Sequence, residues 1–190
     1  MGLLAPGFLV AAPPLGDRHF EQSVVLLASH GDQGAFGWII NGRQIMTVSE
    51  LIEGGEFDVE CASDADITGT VRLGGPVGQD QIWLIFPTSA SPSDLPGSSE
   101  IGGGLSASAS RTMLEHVASG KGPTELVAVL GYAGWGPGQL EDEISCGAWL
   151  PTDLSGSLVF DVPREEIWRA SYARIGMTPM AFAGRVVGSA

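Results

Sequence analysis

The sequence predicts an α/β domain, and three observations support that prediction. Short apolar runs rich in β-branched residues, separated by glycine and proline, are typical of strands. Apolar residues spaced three and four apart are typical of helices, as in Met113, Leu114, Val117 and Ala118. The 190 residues contain no linker, internal repeat or low-complexity block. We therefore expect residues 1–190 to form a single domain that buries about 70% of its unfolded surface.

The first part of the chain predicts a strand-rich start. The segment GDQG at 31–34 is a hairpin signal, because glycine adopts the positive φ that such turns need. A short helix is predicted over Val48–Glu53, with Thr47 and Glu50 at the spacing of a capping box. Apolar runs predict three strands before this helix: Gly7–Ala12, Ser23–His30 and Ala35–Asn41.

The middle of the chain is more polar. The segment Glu50–Asp66 has seven acidic residues and no basic one, which indicates a solvated insert. The segment Thr88–Gly104 is rich in Ser, Pro and Gly and predicts a flexible connection, with a lid as the alternative. Strands are predicted at Thr70–Gly75 and Gln81–Pro87, and the helix that contains Met113 ends at Gly120.

The last third of the chain predicts two strands and two helices. Thr124–Tyr132 is the most apolar strand and is predicted to lie in the centre of the sheet. Gly136–Ser145 is predicted to be largely helical. Gly156–Val162 is predicted as a final strand, buried from Leu158 to Asp161. A helix is then expected to begin at Pro163, with an inward stripe of Trp168, Tyr172 and Ile175.

Charge argues against a polyanionic partner. The formal net charge is -13, and eight of the nine basic residues are arginines without any run of basic residues. The densest group, Arg164, Arg169 and Arg174, is mixed with acidic residues. Because phosphate backbones are bound by clustered Lys and Arg, we expect no nucleic-acid partner. The partner is predicted to be an unknown protein or small-molecule ligand.

Apolar segments and cysteines bear on the compartment. No segment reaches the roughly 20 apolar residues of a membrane helix, so no membrane span is predicted. The N-terminus has no basic residue before Arg18, and prolines interrupt its apolar run, unlike a signal peptide. Cys61 and Cys146 have no paired spacing, which is typical of a reducing compartment. We expect a cytoplasmic protein, with Cys61 on the surface and Cys146 packed or partly buried.

The segment LGYAGWGPGQLEDEI, Leu130–Ile144, has two interpretations. A strand, a glycine turn and a helix can bind phosphate at the helix N-terminus. However, the segment matches neither common phosphate-loop motif, Pro137 removes one N–H donor, and the carboxylates at 141–143 would repel an anion. We favour a structural strand-to-helix corner in which Tyr132 and Trp135 are packing residues.

Residues with catalytic or metal-binding chemistry do not form a recognisable pattern. His19, His30 and His116 are at unrelated spacings, so no metal site is predicted. The segment Gly104–Ser108 approaches a nucleophile elbow but lacks its second glycine. Neither cysteine lies beside an obvious base. The sequence therefore predicts no catalytic residue, no metal and no cofactor.

Three blocks together resemble a known family. They are APPLGDRHFEQSVVLLASHGDQGAFGWIIN at 12–41, LGGPVG at 73–78 and the glycine-rich segment at 130–144, with SGKGP at 119–123 before the central strand. Their order and spacing are similar to those of the YqgE/AlgH family of bacterial proteins. The resemblance implies a mixed, largely antiparallel sheet with helices packed around it. The matching side chains are Asp17, Phe20, Ser23, His30, Asn41, Tyr132, Trp135, Gln139 and Glu141.

The resemblance implies little about activity, since no catalytic residue of the family can be carried over. One branch of the family is labelled a transcriptional regulator. The chain departs from the family where Gly42 follows Asn41, because a basic residue and a proline often stand there. It also has IFPT at 85–88 where the family often has Leu-His, and SCGAW at 145–149 where an Asn often precedes the Trp.

Three functions follow from these observations. The first is a non-enzymatic binding or regulatory module. The alternative is an enzyme that binds a small molecule or nucleotide at the Tyr132–Gln139 corner, and direct DNA binding ranks last. The candidate pocket lies where this corner meets the turn after the first strand, unless Trp135 is core and Asp17 only caps its turn. Its residues are Asp17, Ser23, Asn41, Tyr132, Trp135 and Gln139.

Overall fold

The computed structural model of the chain describes residues 4–13, 17–54, 69–90, 95 and 97–180. Its helices are α1 (Val48–Gly54), α2 (Arg111–Ala118), α3 (Gln139–Ser145), α4 (Gly156–Phe160) and α5 (Ile167–Arg174), with a 3₁₀ turn at Thr88–Ala90. Its strands are β1 (Gly7–Ala11), β2 (Val24–Gly31), β3 (Gly34–Ile39), β4 (Gln44–Thr47), β5 (Thr70–Leu73), β6 (Val77–Pro87), β7 (Ser98–Gly102), β8 (Leu105–Ser108), β9 (Val127–Trp135) and β10 (Trp149–Asp153).

The strands form one curled, largely antiparallel sheet in the order β10-β1-β2-β3-β9-β6-β8-β7. The exception is β5, which pairs parallel with the first half of β9 and antiparallel with β4. The second half of β9 pairs with β3 on that same edge. One edge of β9 therefore pairs with β5 along its first half and with β3 along its second half. β3 and β5 diverge from each other at the point where one replaces the other.

Side chains point alternately to the two faces along each strand. Apolar clusters cover both faces of the sheet. In β1, Phe8 and Val10 face a core that includes α4 and α5, whereas Leu9 and Ala11 face a core with Leu140 of α3. A third core lies between the β5–β6–β9 region and helices α1 and α2. The predicted α/β class, with a mixed sheet and helices packed around it, is confirmed.

Gly131 changes the alternation along β9. Before Gly131, the odd-numbered residues Val127 and Val129 face the core of α4 and α5. After it, the even-numbered residue Tyr132 faces the same core. Gly131 has φ of +73°, a conformation that glycine adopts readily. As a result, Trp135 is directed to the opposite face, toward α3.

Several predictions are confirmed. Val127 and Val129 are 4% and 0% exposed in the central strand. The capping box of α1 is present, since the Glu50 carboxylate accepts the Thr47 backbone N–H at 2.7 Å and the Glu50 N–H donates to the Thr47 hydroxyl at 3.1 Å.

Most of the acidic insert Glu50–Asp66 lies outside the described residues, as does Cys61.

Other predictions are wrong. Gly156–Val162 is not a strand: residues 156–160 form α4, whose Leu158 and Val159 are buried together. A short apolar run has no periodicity that separates a buried strand from a buried helix. The helix expected at Pro163 begins at Ile167, after a turn closed by the Glu166 N–H and the Pro163 carbonyl.

The loop and stripe predictions also need correction. The described part of the segment Thr88–Gly104 contains β7, which forms a hairpin with β8, so the segment is not a wholly flexible connection. Ile175 is 36% exposed, because α5 ends at Arg174 and its inward face is completed by Ile167 and Ser171. Cys146 is exposed, not packed, at the end of α3.

Candidate functional site

The turn between β1 and β2 is ordered by its own backbone and by Asp17. The Asp17 carboxylate accepts the His19 backbone N–H at 2.8 Å. The Asp17 backbone carbonyl accepts the N–H groups of Phe20 and Glu21 at 3.1 and 2.9 Å. Gln22 then adopts φ of 54°, which non-glycine residues rarely adopt. Asp17 thus shapes the turn that carries the residues around it.

Asn41 connects this turn to the end of β3. Its amide oxygen accepts the Val24 backbone N–H at 2.8 Å, and its amide nitrogen donates to the Gln22 carbonyl at 2.8 Å. The Ser23 hydroxyl donates to the Phe20 carbonyl at 2.8 Å. Both side chains are therefore engaged with backbone groups, and they fix the turn against the sheet.

A cavity of about 330 Å³ opens beside the turn. It lies where β3 and β5 meet at the shared edge of β9. The chain is tightly closed beneath it: the Ile39 N–H donates to the Gly74 carbonyl at 2.8 Å, and the Leu73 N–H to the Arg43 carbonyl at 2.9 Å. A Cβ at Gly42 would overlap the Leu73 carbonyl oxygen, so the departure from the family at Gly42 has a steric reason.

The cavity, which we call the turn cavity, has a basic lining in an acidic protein. Arg18, Arg43 and His19 line it, with Glu21 as the acidic residue among its lining groups. Within the described part of the chain, neither arginine forms a salt bridge. Its complete lining is Arg18, His19, Glu21, Gln22, Ser23, Ile39, Asn41, Gly42, Arg43 and Leu73.

The glycine-rich corner between β9 and α3 is organised around Glu143. One carboxylate oxygen accepts the indole N–H groups of Trp135 and Trp149 at 2.9 and 2.8 Å, and the other accepts the Gln139 amide at 2.8 Å. The Gln139 amide oxygen in turn accepts the Gly136 N–H at 3.1 Å. The carboxylate thus has three donors, two from the corner and one from Trp149 at the start of β10.

Phe20 joins the turn to this corner. Its ring stacks on Trp135 with centroids 6.2 Å apart and meets Trp149 edge-on at 5.5 Å. The turn therefore has two sides: its basic residues line the cavity, and Phe20 packs against the corner.

His30 links β2 to α3. Its Nε2 lies 2.9 Å from the Glu141 carboxylate, and its Nδ1 accepts the Leu4 backbone N–H at 3.3 Å, which places the proton of the neutral ring on Nε2. The backbone N–H of Glu141 and then this imidazole hold the pKa of the Glu141 carboxyl below its usual value.

The six residues of the candidate pocket are only partly brought together. Ser23 and Asn41 line the turn cavity, and Asp17 holds the turn above it. Trp135 and Gln139 instead donate to Glu143 in the glycine-rich corner between β9 and α3, and Trp135 is only 6% exposed. Tyr132 lies on the other face of β9, where its ring is 4.9 Å from Phe36.

Sequence reasoning missed the two arginines. Arg18 and Arg43 lie 25 positions apart in the chain, and only the sheet brings their loops together. The available signal was that Arg18 lies within the first block that matches the family and Arg43 follows the end of that block by two positions. No group of three His, Cys, Asp or Glu among the described residues is arranged to hold a metal ion.

These features define an α/β protein with a curled sheet and a ligand-sized basic cavity at a strand junction. A family model described as AlgH-like matches residues 8–180. The chain belongs to this AlgH-like family. None of the helices in the described part of the chain has the length and apolarity that crossing a bilayer requires.

Relatives and solved structures agree with this assignment. A UPF0301 protein of Anaeromyxobacter sp. (strain Fw109-5) is 41% identical over 182 residues, which cover 94% of this chain and 92% of the relative. The solution structure of the AlgH protein from Pseudomonas aeruginosa matches with a TM-score of 0.75 and 35% identity, covering 93% of this chain and 90% of that one. A crystal structure of a Corynebacterium diphtheriae protein matches with a TM-score of 0.69 and 25% identity, covering 90% and 86%.

Proposed function

We propose that the protein is a non-enzymatic binding module that holds a small carboxylate or phosphate compound in the turn cavity. The observation that carries the proposal is that Arg18 and Arg43 line one cavity of a protein with net charge -13 and form no salt bridge within the described residues. The cavity volume of about 330 Å³ is within the range of small-molecule sites.

The arginines favour an anion for a physical reason. An arginine remains charged at any physiological pH and presents several N–H donors that match a carboxylate or a phosphate in pairs. The chain has 22 acidic residues, yet neither Arg18 nor Arg43 pairs with one within the described residues. A bound anion would supply the partner that the surrounding surface does not.

The hydrogen bonds around the cavity support binding without catalysis. The Ser23 hydroxyl donates to the Phe20 carbonyl, and both ends of the Asn41 amide bind backbone. A nucleophile needs a base that accepts its proton, and the Ser23 proton is directed to a carbonyl. These groups are suited to hold the shape of the cavity.

The alternative, an enzyme centred on the Tyr132–Gln139 corner, is supported less well. The Glu143 carboxylate is the acid–base group nearest this corner in its hydrogen-bond network, and three donors already bind it. Tyr132 and Trp135 face opposite sides of β9. A substrate at the corner would have to displace these contacts.

The regulatory and cellular parts of the proposal rest on coarser grounds. The AlgH-like family includes a branch labelled a transcriptional regulator, and we propose that regulation here acts through the ligand or a protein partner. Direct DNA contact is not proposed, because three basic groups at one cavity do not form the extended stripe that duplex binding uses. The cytoplasm is proposed because Cys146 is an exposed free thiol.

Thermal unfolding in the presence of anions tests the proposal. The probes are inorganic phosphate, pyrophosphate and succinate, compared with chloride at equal ionic strength. A ligand at 100 times its Kd stabilises the native state by about 2.7 kcal/mol, so at least one probe is expected to raise the melting temperature. The gain should decrease at high salt, because exposed charges are screened.

Charge-matched variants locate the effect. In Arg18→Gln/Arg43→Gln, the stabilisation by the active probe should be lost. Arg111→Gln/Arg174→Gln is the control, since it also removes two positive charges and both residues are exposed helix residues outside the turn cavity. A protein that no probe stabilises, or a response equal in all variants, would contradict the anion site.

A further inference from the structure

The turn cavity carries charges of both signs. Arg18, Arg43 and Glu21 all line it, and within the described part of the chain none of the three forms a salt bridge. With histidine counted as neutral, two guanidinium groups and one carboxylate give this lining a formal charge of +1. A ligand that pairs with each of these groups carries two negative groups and one positive group.

The conformation of the turn places Glu21 on the cavity side. Its backbone N–H donates to the Asp17 carbonyl at 2.9 Å, and the next residue, Gln22, has φ of 54°. The preceding residue, Phe20, packs against Trp135 in the glycine-rich corner, whereas Glu21 lines the cavity. Glu21 therefore lies with the two arginines and apart from the aromatic contacts of the turn.

The apolar part of the lining favours an organic compound over an inorganic ion. Ile39, which is 4% exposed, and Leu73 line the cavity beside the charged residues. Carbon atoms of a ligand cover such apolar surface favourably. A single phosphate ion would leave most of the volume of about 330 Å³ unfilled. The lining therefore fits charged groups attached to a short carbon chain.

We propose that the turn cavity binds an amino dicarboxylate, a short carbon chain with two carboxylates and one ammonium group. The carboxylates pair with Arg18 and Arg43, since guanidinium groups bind carboxylates through paired N–H donors. The ammonium group pairs with Glu21. This inference rests on the anion site proposed above and adds to it a second kind of charge.

Glu21 reverses the order of affinity that the arginines alone would give. Two arginines without Glu21 would bind succinate more tightly than L-aspartate, because the ammonium group of L-aspartate would be repelled. With Glu21 in the lining, the carboxylate attracts that ammonium group and repels the additional net negative charge of succinate. Specificity of this kind uses an attractive and a repulsive contact together.

L-Aspartate, succinate and L-asparagine are matched probes of these contacts. Succinate lacks the ammonium group of L-aspartate, and L-asparagine has an amide in place of one carboxylate. Each probe is titrated into the ¹⁵N-labelled full chain at constant ionic strength, and Kd is taken from saturable shifts of the backbone N–H signals of residues 18–23 and 41–43. L-Aspartate is expected to bind about 2- to 5-fold more tightly than either of the others, which is the size of one exposed ion pair.

A variant of Glu21 tests the source of this preference. In Glu21→Gln, succinate should bind at least as tightly as L-aspartate. Glu125→Gln is the control, since it removes the same charge from an exposed residue outside the turn cavity, and it should keep the original order. The order of the three probes in the unsubstituted protein decides the question even if Glu21→Gln does not fold.

Several results would overturn the amino dicarboxylate and leave the anion site in place. They are succinate or L-asparagine binding as tightly as L-aspartate, a preference for L-aspartate that persists in Glu21→Gln, and inorganic phosphate binding where neither dicarboxylate binds. If neither these probes nor phosphate and pyrophosphate bind, the anion site itself is contradicted, and the amino dicarboxylate is excluded with it.

Discussion

The two faces of the sheet carry two tryptophan pairs that differ in one respect. Trp135 and Trp149 meet edge-on at 5.9 Å and both donate to Glu143. The ring centroids of Trp38 and Trp83 lie 5.1 Å apart, and their N–H groups have no acceptor among the described residues. The side chains and their spacing are similar, so the difference lies in the acceptor. Trp135 and Trp149 hold α3 against the sheet through this shared acceptor, whereas Trp38 and Trp83 are enclosed in an aromatic cluster with Phe36.

The largest effect is expected when the acceptor of the satisfied pair is removed. Glu143→Ala leaves the N–H groups of Trp135 and Trp149 buried without a partner, and we expect a loss of about 3 kcal/mol in the free energy of unfolding. Urea denaturation measures it. Asp142→Ala, an exposed neighbour in α3, is the control. Equal losses in the two variants would make the corner no different from a solvated helix face.

A smaller effect is expected from the donors themselves. Trp135→Phe removes a hydrogen bond to a carboxylate, whereas Trp38→Phe removes only packing contacts. Because hydrogen bonds to charged groups contribute about 1.5–3 kcal/mol, Trp135→Phe should cost at least about 1 kcal/mol more than Trp38→Phe. The comparison uses urea midpoints of the two variants in the absence of ligand. If Trp38→Phe were the more costly, Trp38 would have an acceptor after all.

A third satisfied donor gives a pH test. The Tyr172 hydroxyl donates to the Ala11 carbonyl at 3.2 Å, and burial raises the pKa of Tyr172 to about 12 from 10.0. The folded state therefore keeps a proton that the unfolded state loses, so this contribution to stability is complete below pH 10 and is lost as pH rises toward 12. Tyr172→Phe should flatten the alkaline decrease in unfolding free energy. Trp168→Phe, at the same carbonyl but without a titrating group, should retain it.

The smallest expected change in stability concerns Glu141, in the first turn of α3. Its lowered pKa means that its contribution to stability is present above the usual value of 4.5 and is lost as pH falls below it. Glu141→Gln should slightly flatten the acid limb of stability, measured by thermal unfolding between pH 6 and pH 3. Asp142→Asn is the matched control. An unchanged acid limb in Glu141→Gln would show that ionisation of the Glu141 carboxyl contributes nothing to folding.

The sequence was sufficient for features that local pattern determines. The most apolar run of the chain predicted the buried central strand around Val127 and Val129, and the spacing of Thr47 and Glu50 predicted a helix cap. The helix α4 was missed because a five-residue element provides less than two turns of periodicity. The strand β10 was missed because its pairing with β1, far away in the chain, creates it.

The turn cavity could be predicted only in part for the same reason. Asp17, Ser23 and Asn41 have local roles in a turn and at a strand end, and the family blocks indicate them. The approach of Arg18 and Arg43 depends on the pairing of β2 with β3, which brings the start of β2 beside the end of β3. The N–H groups of Trp38 and Trp83 have no acceptor among the described residues. The spacing of residues in the sequence could not predict this, because it depends on the three-dimensional packing.

The pairing of β1 with β10 has a consequence for folding during synthesis. The strands β1, β2 and β3 are consecutive hairpins that can form early, but their outer edges are covered only when β9 and β10 arrive. Ala11 pairs with Trp149, so a nascent chain exposes two unpaired strand edges until most of its length has left the ribosome. Exposed edges of apolar strands recruit other chains. Truncation before Trp149 should therefore give aggregates instead of a smaller folded domain.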